Sequence, residues 1–464
     1  MRTEGRAVVR TWVVAALVTM LVPDDLSAMG ENQNVRGVGM GKTYAAVSYG
    51  LDAAGLNPAN LSLGPDHFLS IGVSPAAFHA GGDVFSYDVY TNFFSGVESS
   101  TGLEGRYLAD VEKDVIMSRF NGQDFGESFA DFGARLLGVS IGLPQTGILA
   151  FTVTDYAGAA LRFPKDLAGF VLYGNPLGSV YDFNDTDLSA EWIRAYTVSF
   201  GAKIPGVAFF DWLAIGGGVK LIHGYAYYEI LRSDSHLETS EYGVLTGDVD
   251  FLARAAESST LKATGFDFFP VPAGHGFGFD VGFSGGLTSD LSFGMSLTDV
   301  GSVTWGGNTE EIYSDTSLVI DNPLDPDQQK AILNAVSGES RRAIEPFSTR
   351  LPTKVRIGLA LQTRNLFFLE DLVLGFDCVK ALHEGPGAST DPRFSFGAEY
   401  GLLPFLPLRA GIATGGAEET AVAAGFGLHA GPLGIDVATD NVAWIFAPST
   451  ASYGSFSVGA SLRL

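Results

Sequence analysis

The chain has 464 residues, of which 46% are hydrophobic and 17% charged, and a formal net charge of −24. Such acidity argues against nucleic acid or anionic lipid as a partner, because both would repel it, and the single cysteine, Cys378, excludes an intrachain disulfide. Mean hydropathy is +0.20, yet after the first segment no apolar run reaches the roughly eighteen residues of a membrane helix, so the apolar surface needs another outlet.

The first segment has the form of an export signal. Arg2, Arg6 and Arg10 precede an apolar run from Thr11 to Val22, and Leu26-Ser27-Ala28 follows as a small-residue cleavage pattern. Pro23, Asp24 and Asp25 cut the run too short for a spanning anchor. We therefore expect a signal peptide over 1–28 and export of the remainder. The next stretch, 29–65, is poorly suited to a strand, because Pro58 cannot donate to a sheet ladder and Asn57-Pro58 favours a turn.

From residue 66 to the end, period-two alternation recurs at intervals. Phe277, Phe279, Val281 and Phe283 alternate with Gly278, Asp280, Gly282 and Ser284, then Leu291, Phe293, Met295 and Leu297 with Ser292, Gly294, Ser296 and Thr298. Successive strand residues face opposite sides, so each segment has one apolar and one small or polar face. Val355, Ile357, Leu359 and Leu361 oppose Lys354, Arg356 and Gly358, while Phe394 and Phe396 oppose Arg393, Ser395 and Gly397. Leu372, Leu374, Phe376 and Cys378 oppose Asp371, Gly375 and Asp377. The last segment sets Phe456, Val458, Leu462 and Leu464 against Ser455, Ser457, Gly459, Ser461 and Arg463, an apolar face kept to the final residue. Weaker segments bring the total to roughly fifteen candidates, about fourteen if one belongs to a loop, and an even number is expected of such barrels.

Alternation alone fits a soluble sandwich or propeller with its apolar face inward. The glycine, serine, threonine and aspartate of the opposite face suit a lumen instead, and Trp192, Trp212, Trp305 and Trp444 stand at strand ends, where interfacial aromatic girdles belong. The expected fold is all-β: a transmembrane antiparallel barrel over 66–464 with an N-terminal plug segment and short helices in long loops. Those loops are expected near 95–131, 157–190, 226–260 and 301–352. A helix is predicted after the N-cap Asp325 and Pro326, with Ile332, Leu333 and Val336 on one face, and a weaker one from Leu103 to Met117.

Catalytic motifs fail on context. Gly37 to Thr43 resembles a phosphate-binding loop, but Arg36 stands where the first glycine is required. G-x-S-x-G occurs around Ser140 and Ser284, both inside alternating runs and not at the strand-to-helix elbow a nucleophile needs. The seven histidines show no metal-ligand spacing, and His383-Glu384 reads as a turn. No enzyme activity, metal or cofactor is expected.

The segment Arg36–Leu61, RGVGMGKTYAAVSYGLDAAGLNPANL, resembles the start of FadL-like outer-membrane proteins, which include fatty-acid transporters and PorV-type proteins. Leu351-Pro-Thr, Pro392 to Tyr400 and Leu403 to Gly411 are similar to the PorV-type relatives. Lys42, Asn60 and the terminal Leu464 depart from the usual pattern. The resemblance implies a plug inside a fourteen-stranded barrel of a Gram-negative-type outer membrane, with Asn57, Pro58, Ala59, Gly39 and Gly41 as plug or gate residues. It implies passive passage of a small hydrophobic molecule, or alternatively a structural or shuttle role in protein secretion. The partners would be outer-membrane lipid, a hydrophobic small molecule or secretion-system proteins.

Overall fold

The computed structural model describes residues 31–464 apart from 65–66, 100–101, 206–209, 265–266, 323–324, 329, 331–339, 364–370, 384–388 and 417. The expected signal peptide, 1–28, lies outside the described residues, as do Glu384 and the helix-face positions Ile332, Leu333 and Val336.

Among the described residues, fourteen antiparallel strands close a ring. They are β1 Leu69–Gly82, β2 Phe125–Leu143, β3 Gly147–Pro164, β4 Asp187–Ile204, β5 Trp212–Thr239, β6 Gly274–Gly286 and β7 Leu291–Trp305. The ring continues with β8 Lys354–Thr363, β9 Leu372–Ala381, β10 Arg393–Leu403, β11 Leu406–Gly415, β12 Glu418–Ala430, β13 Leu433–Thr439 and β14 Tyr453–Arg463. β14 pairs with β1 from Tyr453↔Gly81 to Arg463↔Ser70, and Leu464 exchanges backbone hydrogen bonds of 2.8 and 3.2 Å with Leu69. Closure satisfies every strand's ladder, which a lipid environment demands.

The apolar face is outside. On β6, Phe277, Phe279 and Val281 are 60%, 53% and 54% exposed, whereas Gly278 and Asp280 are buried. The same parity exposes Ile357 and Leu359 on β8, Phe394 and Phe396 on β10, Val422, Phe426 and Leu428 on β12, and Phe456 on β14. A water-facing shell of this composition would be unfavourable, while a bilayer accommodates it, so the fold is a transmembrane β-barrel. No described helix is long and apolar enough to cross a membrane. The band carries its own test. Phe279→Arg is expected to cost about 2–4 kcal/mol of stability in bilayers, the penalty for a cation on the lipid face near mid-depth, whereas Glu241→Arg, in an exposed turn well away from the band, is expected to be tolerated. Denaturant unfolding in lipid vesicles measures both.

The two rims differ. On the Leu464 side strands join through short turns such as Pro144–Thr146 and Pro432. On the other side the wall rises well beyond the bilayer. β5 is 28 residues long, against about 9–11 for a spanning strand. Leu245–Glu257 pairs with its outer half, Glu310–Ile320 pairs with that segment in turn, and Ser340–Ala343 follows. The region expected as a loop at 226–260 is therefore largely sheet, and parts of 95–131, 157–190 and 301–352 belong to β2, β3, β4, β7 and this raised wall. The sequence concealed these strands because both faces meet water there: Arg232, Ser233 and Asp234 show no apolar alternation.

The predicted helix over Leu103–Met117 is shifted. Gly102–Glu104 pairs with Val97–Ser99, and the helix runs Asp110–Ser118, where Glu112 reaches back to the Ala109 amide at 2.8 Å. Residues 326–328 are helical after Asp325, whose carboxylate accepts the Asp327 amide at 2.8 Å.

Candidate functional site

The lumen is occupied by the N-terminal segment. Residues 31–48 are buried without interruption, as are Leu56 to Leu61. Asn34 caps the short helix Val35–Val38 by accepting the Gly37 amide at 3.0 Å. Gly41 and Lys42 then adopt φ of 67° and 61°, turning the chain across the barrel. Pro58 opens the 3-10 helix Pro58–Ser62, the position where its fixed φ is favourable and its missing amide costs nothing.

Lumen-facing glycines let the plug backbone touch the wall. A β-carbon on Gly397 or Gly411 would lie under 3.0 Å from Met40 backbone, on Gly294 from the Ala45 carbonyl, and on Gly201, Gly216 or Gly282 from Asn57 to Ala59. A strand glycine permits this approach and no other residue does. The plug thus spans from β10 and β11, through β7, to β4–β6.

The five sequence-predicted residues all lie in this plug and are buried. They form two separate contacts. Gly39 and Gly41 abut Gly425 of β12 and Ile412 of β11. Asn57, Pro58 and Ala59 lie against β4–β6. There Asn57 Nδ2 donates to Ala45 O at 2.8 Å and Ser284 Oγ at 2.9 Å, while Asn60 Nδ2 donates to Ala45 O at 2.9 Å and Ser48 Oγ at 3.2 Å. Ser284 Oγ donates to Asn60 Oδ1. Ser284 is accordingly a plug anchor within β6, and Asn60, unusual in the resembled pattern, is a working member of the cluster.

The sequence reading missed the ionic lining. Glu31 pairs with Arg356 of β8 and with Arg393 of β10 at 3.1 Å, all inside the lumen. Arg36 makes a two-pronged contact with Glu399 at 2.8 Å, and Arg409 joins Glu399 to Asp436 at 2.6 Å each. Lys42 pairs with Asp440 at 2.9 Å, which gives the lysine after Gly-Met-Gly a buried partner on the wall. Asp377 Oδ2 accepts the amides of Tyr44 and Ala45 at 2.6 and 2.7 Å. The signal was present as inward-parity charges, Arg356, Arg393 and Asp377, but their partners are hundreds of positions away. Burial opposes ionisation of Glu31, yet Arg393, Lys354, Arg356 and Lys42 outweigh it and hold the carboxyl well below the usual carboxylate range.

Toward the raised wall the lining changes character. Tyr156, Ile193, Ile222, Tyr227, Val303, Trp305 and Leu351 form a buried apolar cluster, with Trp305 and Tyr227 rings 5.2 Å apart. Trp305 therefore does not belong to an interfacial girdle. It shares parity with Val303, points inward beside Gly224 and Gly274, and donates from Nε1 to Thr349 Oγ1 at 2.9 Å. Standing at a strand end does not determine which face a residue takes.

A lipid-facing barrel with a folded, ion-paired plug defines an outer-membrane-type β-barrel. The chain belongs to a family of unknown function, DUF5723, whose pattern it matches over residues 66–440. No curated protein matches it. Among solved structures it is similar to the Ralstonia pickettii toluene transporter TbuX, at 13% identity and a TM-score of 0.46, over 95% of this chain and 99% of that one. It is also similar to the P. putida toluene transporter TodX, at 14% and 0.45 over 95% and 98%, and to a Pseudomonas aeruginosa FadL homologue, at 12% and 0.44 over 95% and 99%.

Proposed function

We propose that the protein is a passive outer-membrane channel for small hydrophobic molecules, gated by its N-terminal plug. The observation that carries this reading is the apolar lumen lining on the outer side of the plug, from Tyr156 to Trp305 and Leu351. A pore for hydrophilic solutes is lined with polar groups, whereas an inward aromatic and aliphatic surface favours apolar cargo. Gly39 and Gly41 on one wall, and Asn57, Pro58 and Ala59 on the other, are the points at which the plug would release. Most of these contacts set glycine against backbone, so release of the plug breaks hydrogen bonds such as Asn57 to Ser284 more than a packed side-chain core.

The test uses the full-length mature protein in phospholipid vesicles. Entry of the fluorescent apolar compound N-phenylnaphthylamine is expected to be faster than in protein-free vesicles, and sucrose is expected to be excluded. Deleting Asn57 to Asn60 is expected to admit sucrose, because the plug then loses its seat on β4–β6. Equal entry of the apolar compound with and without protein would overturn the reading. So would stoichiometric recovery of exported proteins with the native barrel, which belongs to a secretion role.

A further inference from the structure

A polar row lies on the outside of the barrel just where the lipid-facing band ends. Arg194 is flanked by Ile193 and Ala195, which face the lumen, so its side chain points outward. Register places it level with Asp155 of β3 on one side and His223 of β5 and His275 of β6 on the other. The row two residues nearer the membrane is Tyr196, Leu221 and Phe277, the last two 40% and 60% exposed. His223 stands 11 positions after Trp212, where β5 begins, and a spanning strand takes about 9–11 residues. This row thus marks the outer edge of the bilayer.

Against it folds an extruded segment. Leu245–Glu257 and β6 both pair with β5, one after the other, and the described residues between them leave the sheet before Ala273 returns to Gly224 with a 2.8 Å hydrogen bond. Arg194 anchors that segment: its guanidinium makes bonds of 2.5 and 2.7 Å to Asp155, donates to Phe268 O at 3.0 Å, and lies 5.4 Å from the Phe268 and Phe269 ring centres. Asp155 neutralises the arginine, so the outward face of this knot is aromatic. Phe268, Phe269 and Val271 are 50%, 73% and 57% exposed.

We propose that Asp267–Val271 is an interfacial anchor whose Phe268 and Phe269 rings enter the outer leaflet beside β4–β6, as a continuation of the Tyr196, Leu221 and Phe277 band. Two exposed phenylalanines held by a neutralised arginine at the bilayer edge match the acyl and headgroup boundary, where aromatic rings partition favourably. The partner is bilayer lipid, reached sideways from the wall and independently of anything the lumen carries.

The experiment replaces Cys378 with serine and introduces Phe269→Cys, labelled with an environment-sensitive fluorophore, in phosphatidylcholine vesicles. Lipid carrying a nitroxide near the head of its acyl chain is expected to quench this label several-fold more than a water-soluble nickel chelate does. A label at Tyr242→Cys, on the distant tip of the raised wall and 93% exposed in the native protein, is expected to show the reverse. Val271→Cys repeats the measurement at a second site should Phe269→Cys fail to fold. Preferential quenching by the aqueous reagent at both 269 and 271 would show the segment standing in water and overturn the proposal.

Discussion

Gly294→Val is expected to dislodge the plug while leaving the strand's lipid face unchanged. The first atom of the new side chain would fall under 3.0 Å from the Ala45 carbonyl carbon and oxygen. Neither partner can yield easily. Gly294 is paired with Ser284 on one side and Gly358 on the other, so the wall is held by two ladders. The Ala45 carbonyl accepts from both Asn57 and Asn60, and its amide is held by Asp377. Forced overpacking costs about 1–3 kcal/mol, and displacing Ala45 adds the loss of buried hydrogen bonds worth roughly 1 kcal/mol each. The expected readouts are a lower melting temperature in detergent and proteolytic cleavage within 31–64 under conditions where the native plug resists. Gly105→Ala is the matching control, because nothing lies within 4 Å of that position. Native melting with a protected plug in Gly294→Val would refute the close-packed wall contact.

The second large effect is expected from Glu31→Ala. Its carboxylate is fully buried between Arg356 and Arg393, and Tyr44 donates to its backbone carbonyl at 2.8 Å. Removing the carboxylate takes away the ion-pair partner that Arg356 and Arg393 share, a change that costs about 3–5 kcal/mol for a buried pair. Water entering beside the released segment is the relief available, so we expect higher ion conductance in planar bilayers together with lower stability. Unchanged conductance and melting would show that Glu31 is not a tether. The pH dependence has a definite sign. Since the folded-state pKa is depressed, the stabilisation is complete above the unfolded value of about 4.3 and is lost as pH falls through the lower folded value. Plug retention is therefore expected to be flat from neutral pH to about 4.3 and to decline only in stronger acid.

How far these features could be read in advance depends on their range. The barrel's exterior was legible because alternation is local: Phe277, Phe279 and Val281 alternate with glycine and aspartate whatever the partner strand. That the chain around Asn57-Pro58 leaves the sheet was legible for a similar reason, since proline refuses a ladder and inward glycines announce a close neighbour. The raised wall was not, because strands wetted on both faces lose the period that identifies them, as at Arg232 to Asp234.

The amino-acid sequence by itself determined which face of the clearly alternating strands meets lipid, as at Phe277 and Phe456, and that the segment around Asn57 stands apart from the sheet. These are properties of neighbours in the chain, encoded by side-chain period and by backbone groups that proline and glycine lack. Tertiary structure alone decided that Trp305 points inward, that Arg194 lies outside under Phe268, and that Glu31 meets Arg356 and Arg393. Such pairings follow from the stagger of fourteen strands around a closed ring, and ring closure is a condition on the whole chain that no local segment expresses.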